Sequence, residues 1–532
     1  MTAARGDTVD CLIVGAGAAG AAFAWRLASA GIAVTCLEQG DWADYSALPS
    51  LGNDWEAARQ TTHHPSPNIR RTRCDPPIDD ADAVIKPLMY NGVGGSTIHW
   101  GAHVPRFRPS DFRVHTLDGA GDDWPIGYED LAPYYDENDA IVGVAGLAGD
   151  PGNPPRSPRQ MPPVPLGGGG TVMAAAFDRL GWHWWPADMA INTAAHGEGR
   201  GVCNNCGPCD LGCPVKARSS ADVTYWPMAM KSGARLVTGA SVFRIETNRR
   251  GLASGVAYHD RDGCEHRVNA RIVVLAANGI GTARLLLLSE LANRSGLVGK
   301  RLMHHPTGLV TGVFAERLDG YKGPFAASIL CQQFYETDPA RPFKRGFQMQ
   351  CVRADGPVGT ACGGYLARMP WGRGHHRAFL DAFGHTTSLT VTTEDLPEEI
   401  NRVTLSPTLK DRFGVPAAKT TYRVGQNTQA ILDFGLERAT EAFEAASAKR
   451  IERVPLIEPA GFHLLGTARM GGDPESSVVD ANCVAHDVPN LMVIDGSVFV
   501  TAAALNPTST IQAIALRAAT RLIADCRNRS AA

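Results

Sequence analysis

Four cysteines fall within "CNNCGPCDLGCP" (203–214): Cys203, Cys206, Cys209 and Cys213, spaced C-x2-C-x2-C-x3-C and followed by Pro214. Short steps of this kind turn a chain around a cubane cluster. The run therefore reads as a candidate [4Fe-4S] site, or a [3Fe-4S] site if only three thiolates serve. Structural zinc usually takes two separated pairs, disulfides require an oxidising compartment, and a loop of free thiols is the plain alternative. Cys11, Cys36 and Cys264 lie in strand-like apolar settings and read as core thiols. His304–His305 and His375–His376 are adjacent pairs that point apart on an extended chain and make poor chelates.

A second pattern is Gly15-x-Gly17-x-x-Gly20, with Glu38 near the end of the next apolar run. Gly15 permits a tight turn, Gly17 lets a pyrophosphate approach the backbone at a helix N-terminus, and Gly20 lets helix and sheet pack closely. An acid at position 38 suits an unphosphorylated ribose, hence FAD or NAD rather than NADP.

These residues need elements to hold them. "CLIVGAGAAGAAFAWRLASAGIAVTCLEQG" predicts strand, turn, helix and strand, and "AALNPTSTIQAIALRAATRLI" predicts a helix starting right after Asn506. There Pro507 suits the first helical position and excludes Asn506 from the α region. Residues 146–170, dense in proline and glycine, predict a surface excursion beside the site entrance, with Gly167–Gly170 as a flexible joint. Alternating stretches between 308 and 455, such as "HTTSLTVTTED" and "NRVTLSP", predict an antiparallel sheet roofing the cofactor. "GWHWWP" (181–186) offers tryptophans that can stack on a sugar face, line an apolar tunnel, or simply pack between domains.

At 532 residues the chain exceeds one compact core, and 51 Lys+Arg against 54 Asp+Glu leave no basic block for nucleic acid. No apolar run reaches the roughly 20 residues of a membrane span. The start carries no export signal, so a cytoplasmic enzyme with reduced thiols and a small-molecule partner is expected, with export alongside a signal-bearing partner as the alternative.

"MYNGVGGSTIHWGAHVPRF" (89–107), "RIVVLAANGIGTARLLLLS" (271–289), "GLVGKRLMHHP" (296–306) and the stretch 461–523 together resemble the glucose-methanol-choline family of flavin oxidoreductases. "HW…PRF", "EDLPEEINRVTLSP" and the final "NPT" look most like the branch holding pyranose 2-oxidase, gluconate dehydrogenase and bacterial FAD-dependent glucose dehydrogenase. The resemblance implies FAD and an α/β (mixed α+β) fold, in which a Rossmann-like FAD-binding domain is interleaved with a substrate domain built on an antiparallel sheet. The expected FAD segments are 1–106, 207–310 and 456–532, the substrate segments 107–206 and 311–455, with the cysteine loop at a junction.

His463 matches the family's catalytic histidine, and Asn506 its partner at the flavin's reactive edge. Gly94, Gly95, Ser96, Val242, Asp495, Pro507 and Thr508 fall where the family contacts FAD, Val242 beside the adenine. His99 matches the histidine that pyranose 2-oxidase bonds covalently to its flavin, though the dehydrogenases keep a comparable residue without that bond. The glucose dehydrogenases carry a cluster in the corresponding region with different cysteine spacing. The implied reaction is oxidation of a secondary hydroxyl of a sugar, glycoside or polyol, with electrons leaving through the cluster to an acceptor protein such as a cytochrome or small subunit. An O2-using oxidase on a sugar, sterol or aromatic alcohol, and an electron-transfer subunit, are the alternatives.

Overall fold

The computed structural model describes residues 8–324, 327–364 and 369–531. The chain forms a mixed α/β structure around two large sheets. The first has seven strands in the order Arg235–Thr238, Val34–Glu38, Val9–Val14, Glu265–Leu275, Ala253–His259, Ser241–Thr247, with Leu491–Val493 also pairing with Glu265–Leu275. Val9–Val14 runs parallel to both its neighbours, Val14 facing Leu37 on one side and Leu275 on the other. The part of a parallel strand covered on both faces must be apolar, and after the half-buried Val9 and Asp10 the residues Cys11, Leu12 and Ile13 are fully buried. The helix Ala18–Ser29 follows, and its run of buried alanines lets it lie close to the sheet. It is tied to the C-terminal helix Thr508–Ala531 by Arg26 Nε donating to Thr520 Oγ1 (3.1 Å).

The second sheet has six antiparallel strands in the order Arg450–Val454, Thr307–Val313, Thr386–Thr393, Phe347–Val352, Ile329–Cys331, Trp184–Pro186. Its period of two divides the faces. Phe347, Met349, Cys351, Leu389 and Val391 join the core beneath the helices Gly167–Leu180 and Gln426–Ala445. Leu309, Gln350, Val352, Thr390 and Thr392 face a cavity on the other side.

Three expectations change here. "NRVTLSP" lies outside the roof, in a separate sheet where Arg402–Lys410 pairs with Pro416–Tyr422, which in turn runs parallel to Ile78–Ala83. The glycines 167–170 are the first turn of a helix rather than a flexible joint. A Cβ on Gly168 would stand 2.3 Å from Leu318 O and one on Gly169 2.3 Å from Thr387 Oγ1, so the turn sits too close to the second sheet to carry side chains. Cys264 is exposed in the turn before Glu265–Leu275, unlike the buried Cys11 and Cys36. Among the described residues no helix is long and apolar enough to cross a membrane.

Candidate active site

Between the two large sheets lies a cavity of about 880 Å3. One end is built by the glycine fingerprint. Strand Val9–Val14 ends at Gly15, whose φ of +105° belongs to glycine, and a Cβ there would lie 2.5 Å from Ala276 O. The loop at 94–96 packs backbone to backbone on this turn: Gly94 N donates to Ala16 O (2.9 Å), and a Cβ on Gly95 would lie 2.8 Å from Gly17 Cα. Gly20 closes the turn from behind, its Cα facing Gly15 O too closely for a side chain. Gly15, Gly17, Gly95 and Ser96 line the cavity, while Gly20 and Gly94 support them.

Glu38 also lines the cavity, where its carboxylate accepts Ala16 N–H (2.9 Å) and Gly40 N–H (3.0 Å). It thus braces the turn as well as facing the cavity. Asp495 accepts from Ser497 N (2.9 Å) and Thr282 Oγ1 (2.6 Å). Burial pushes both carboxyls above the usual range. Val242 lines the same wall. Pro507 and Thr508 present the start of the helix Thr508–Ala531, whose first N–H groups have no partners within the helix. His99 donates from Nδ1 to Asp210 O (2.5 Å), and its buried Nε2 has no partner among the described residues. A glycine cradle without room for Cβ atoms, a helix N-terminus and this unmatched nitrogen fit a flavin dinucleotide. Their place in one cavity extends from Val242 to Asn506.

His463 and Asn506, 43 positions apart in sequence, both line this cavity. Asn506 Oδ1 accepts from His103 Nδ1 (2.8 Å), Gln350 Nε2 (2.9 Å) and Gln348 Nε2 (3.2 Å). Three donors on one oxygen fix the carboxamide, leaving the Nδ2 hydrogens as the group available to a ligand. His463 contacts His305 through Nδ1 (2.7 Å), and His304 Nδ1 donates to the His463 carbonyl (2.8 Å). Burial, then the neighbouring His305, His304 and His103, hold the His463 imidazole well below its usual range and therefore neutral. Burial likewise brings His99, His103, His304 and His305 down to about 4. The pair offers a neutral imidazole acceptor and an amide donor, the complement of a hydroxyl group.

His103, His305, Gln348 and Gln350 escaped the sequence reading. Gln348 and Gln350 in "FQMQCV" alternate, so on a strand they share one face; His305 reads in sequence only as half of a poor chelate. The adjacent imidazoles do point apart, yet they reach the same residue, one its ring and the other its backbone. Another unanticipated wall comes from the helix Trp55–Gln60 and residues 355–364, joined where Glu56 accepts N–H bonds from Val358 (2.9 Å) and Gly359 (2.8 Å). None of residues 146–170 lines the cavity, nor do the tryptophans of "GWHWWP". Trp182 packs edge-on against Phe334 at 4.9 Å, and Trp185 Nε1 donates to Leu147 O (2.9 Å), so these rings are packing groups.

Cys203, Cys206, Cys209 and Cys213 border a recess of about 20 Å3, and none of them is disulfide-bonded. Among the described residues no three His, Cys, Asp or Glu side chains gather as a metal ion would require. The expected convergence on a cluster is therefore absent from this arrangement. The loop instead braces the cavity wall: the Asp210 backbone holds His99, and its carboxylate pairs with Arg59 at 2.6 Å.

Family models described as GMC oxidoreductase match residues 170–307 and 397–515, and one for an NAD(P)-binding Rossmann-like domain matches 13–47. The chain is 44% identical to 2-methyl-1,2-propanediol dehydrogenase of Mycolicibacterium austroafricanum, with 96% of this chain and 94% of that protein covered. It is 31% identical to paromamine 6'-oxidase of Streptomyces fradiae over 98% of this chain and 93% of that one. A variant of formate oxidase from Aspergillus oryzae superposes with a TM-score of 0.64 at 16% identity, covering 99% of this chain and 100% of the other.

Proposed function

The chain belongs to the GMC oxidoreductase family, and from that premise we propose that it is a dehydrogenase that oxidises a carbinol of a small polyol or sugar, with His463 and Asn506 as the catalytic pair. Action on CH–OH groups with FAD is the family's chemistry; the substrate, the residue roles and the acceptor are our reading. The observation that carries it is that an imidazole whose burial favours its neutral form and a carboxamide whose oxygen is already taken line one cavity.

Bound FAD supplies the acceptor for the hydride that leaves the carbinol carbon. The chain's own residues do the rest. His463 takes the hydroxyl proton, and Asn506 Nδ2–H holds the same oxygen as negative charge grows on it. Gln348, Gln350 and His103 keep the amide from rotating. Gln350, Thr390 and Thr392 on the roof offer polar groups to a second hydroxyl. The segments 1–106, 207–310 and 456–532 make up the cofactor half and 107–206 with 311–455 the substrate half.

The dehydrogenase at 44% identity is named for a diol whose second carbon is tertiary and has no hydrogen to give. Only its primary hydroxyl can be oxidised, so the proposed substrates include primary carbinols as well as the secondary hydroxyls expected earlier. We route no electrons through Cys203, Cys206, Cys209 and Cys213, because the thiols do not gather. An O2-using oxidase is the second reading, favoured by the relative at 31% identity.

The test is steady-state turnover of flavin-loaded enzyme on 2-methyl-1,2-propanediol, hexoses and an aromatic alcohol, with dichlorophenolindophenol or O2 as acceptor. The expected result is dye reduction on a polyol, falling ~10²–10⁴-fold in His463→Ala and ~10²–10³-fold in Asn506→Asp, both with flavin retained. Peroxide formed as fast as dye is reduced would establish the oxidase. Undiminished turnover in His463→Ala would remove the assigned base.

A further inference from the structure

We infer that His305 is a positioning residue that sets the tautomer of His463, so that the proton-accepting nitrogen of the base faces the substrate. The inference rests on the reading of His463 as the base. It starts from two carbonyl groups: His305 Nε2 lies 2.6 Å from Ala503 O and 3.2 Å from Ala502 O. Carbonyl oxygens only accept, so Nε2 carries the hydrogen. His305 is fully enclosed and neutral, so its Nδ1 is bare.

That bare nitrogen meets His463 Nδ1 at 2.7 Å. A hydrogen bond between two ring nitrogens needs one hydrogen, and His305 has none left on that side. His463 therefore donates from Nδ1, and as a neutral ring it has its lone pair on Nε2. Nε2 has no partner among the described residues and is not among the sealed polar atoms of the interior, and His463 lines the cavity. When the hydroxyl proton moves to Nε2, the imidazolium keeps Nδ1–H donating to His305, so the new charge forms against an acceptor already in place.

The backbone supports the same arrangement. Ala503 adopts φ +59°, a left-handed conformation that alanine avoids, and its carbonyl is the nearer acceptor of His305 Nε2. Three residues later the chain delivers Asn506 to the cavity, so one irregular segment aligns the acceptor side of the pair through His305 and the donor side directly. His304 holds the His463 main chain at 2.8 Å while His305 holds the ring, which gives the sequence "HHP" two separate tasks on one residue.

The test compares His305→Leu, which cannot accept, with His305→Gln, whose amide can donate to Ala503 and accept from His463. Flavin-loaded protein with 15N-labelled histidine rings is read by NMR, the His463 signals being those lost in His463→Ala. The wild type should show a protonated Nδ1 and a bare Nε2, and His305→Leu should move the hydrogen toward Nε2. In turnover of 2-methyl-1,2-propanediol with dichlorophenolindophenol, His305→Leu should lose about 10- to 100-fold in kcat with KM little changed, and His305→Gln should recover to within about 5-fold of wild type. A wild-type His463 protonated on Nε2, or a His305→Leu enzyme with wild-type kcat and tautomer, overturns the inference. If His463→Ala turns over normally, the base assignment itself has failed, which the tautomer measurement distinguishes because it needs no turnover.

Discussion

In the proposed reaction a single hydroxyl group makes opposite demands on its two neighbours, and the partners of His463 and Asn506 leave each only one way to serve it. The amide oxygen of Asn506 is occupied by His103, Gln348 and Gln350. The imidazole of His463 is kept uncharged, chiefly by burial and then by the other imidazoles around it. The sign of that shift makes a pH prediction. A base whose proton affinity is lowered stays unprotonated as pH falls past the ordinary imidazole value of about 6.5, so the acid limb of kcat/KM should lie below that value. Its measurement on holoenzyme with saturating dye checks this, and a limb above about 6.5 would mean that another group is the base. That both residues belong to one site was legible in sequence, because Pro507 marks where the helix starts and "HLLGTARMG" carries the family's pattern, and both line the cavity. Their partners were not, since the strand that places Gln348 and Gln350 is brought over the site by pairing with Thr386–Thr393, far along the chain.

At the scale of elements, glycine explains both what was readable and what was misread. Gly15, Gly17 and Gly20 have local jobs, a positive φ and close approaches within one turn of chain, and their spacing announces them. Gly168 and Gly169 have a nonlocal job, holding a helix end against Leu318 and Thr387 on a distant part of the fold. Nothing near them in sequence says so, and four consecutive glycines read as a joint. The two views predict different outcomes for Gly168→Ala. In a loose joint the change is harmless, and in an open helix alanine gains ~0.5–1 kcal/mol. Against a backbone oxygen 2.3 Å away it should instead destabilise by a net ~1–2 kcal/mol, read as a lower denaturant midpoint at unchanged slope. The same locality bears on the cysteine run: its spacing describes a ligand set, whereas among the described residues the thiols border one small recess without forming a three-ligand group, and the loop buttresses His99.

Across the whole molecule, a mixed sheet, parallel around its glycine turn, and an antiparallel sheet with a polar underside enclose one cavity, and the C-terminal helix begins beside it. The first sheet was legible because buried parallel strands are continuous apolar runs next to a fingerprint. The roof is legible only as alternation, and alternation alone does not distinguish "NRVTLSP", which pairs with Pro416–Tyr422 in a separate sheet. The central claim is that this cavity removes a hydride from an alcohol carbon while His463 removes the proton. Its most direct test is anaerobic mixing of flavin-loaded enzyme with 2-methyl-1,2-propanediol, unlabelled or deuterated at the primary carbon, while the flavin absorbance is followed in wild type and His463→Ala. The account predicts bleaching in wild type, slowed by deuterium, and strongly retarded bleaching in His463→Ala. Bleaching of equal rate in both proteins, or an oxidised flavin that no alcohol bleaches, would contradict it.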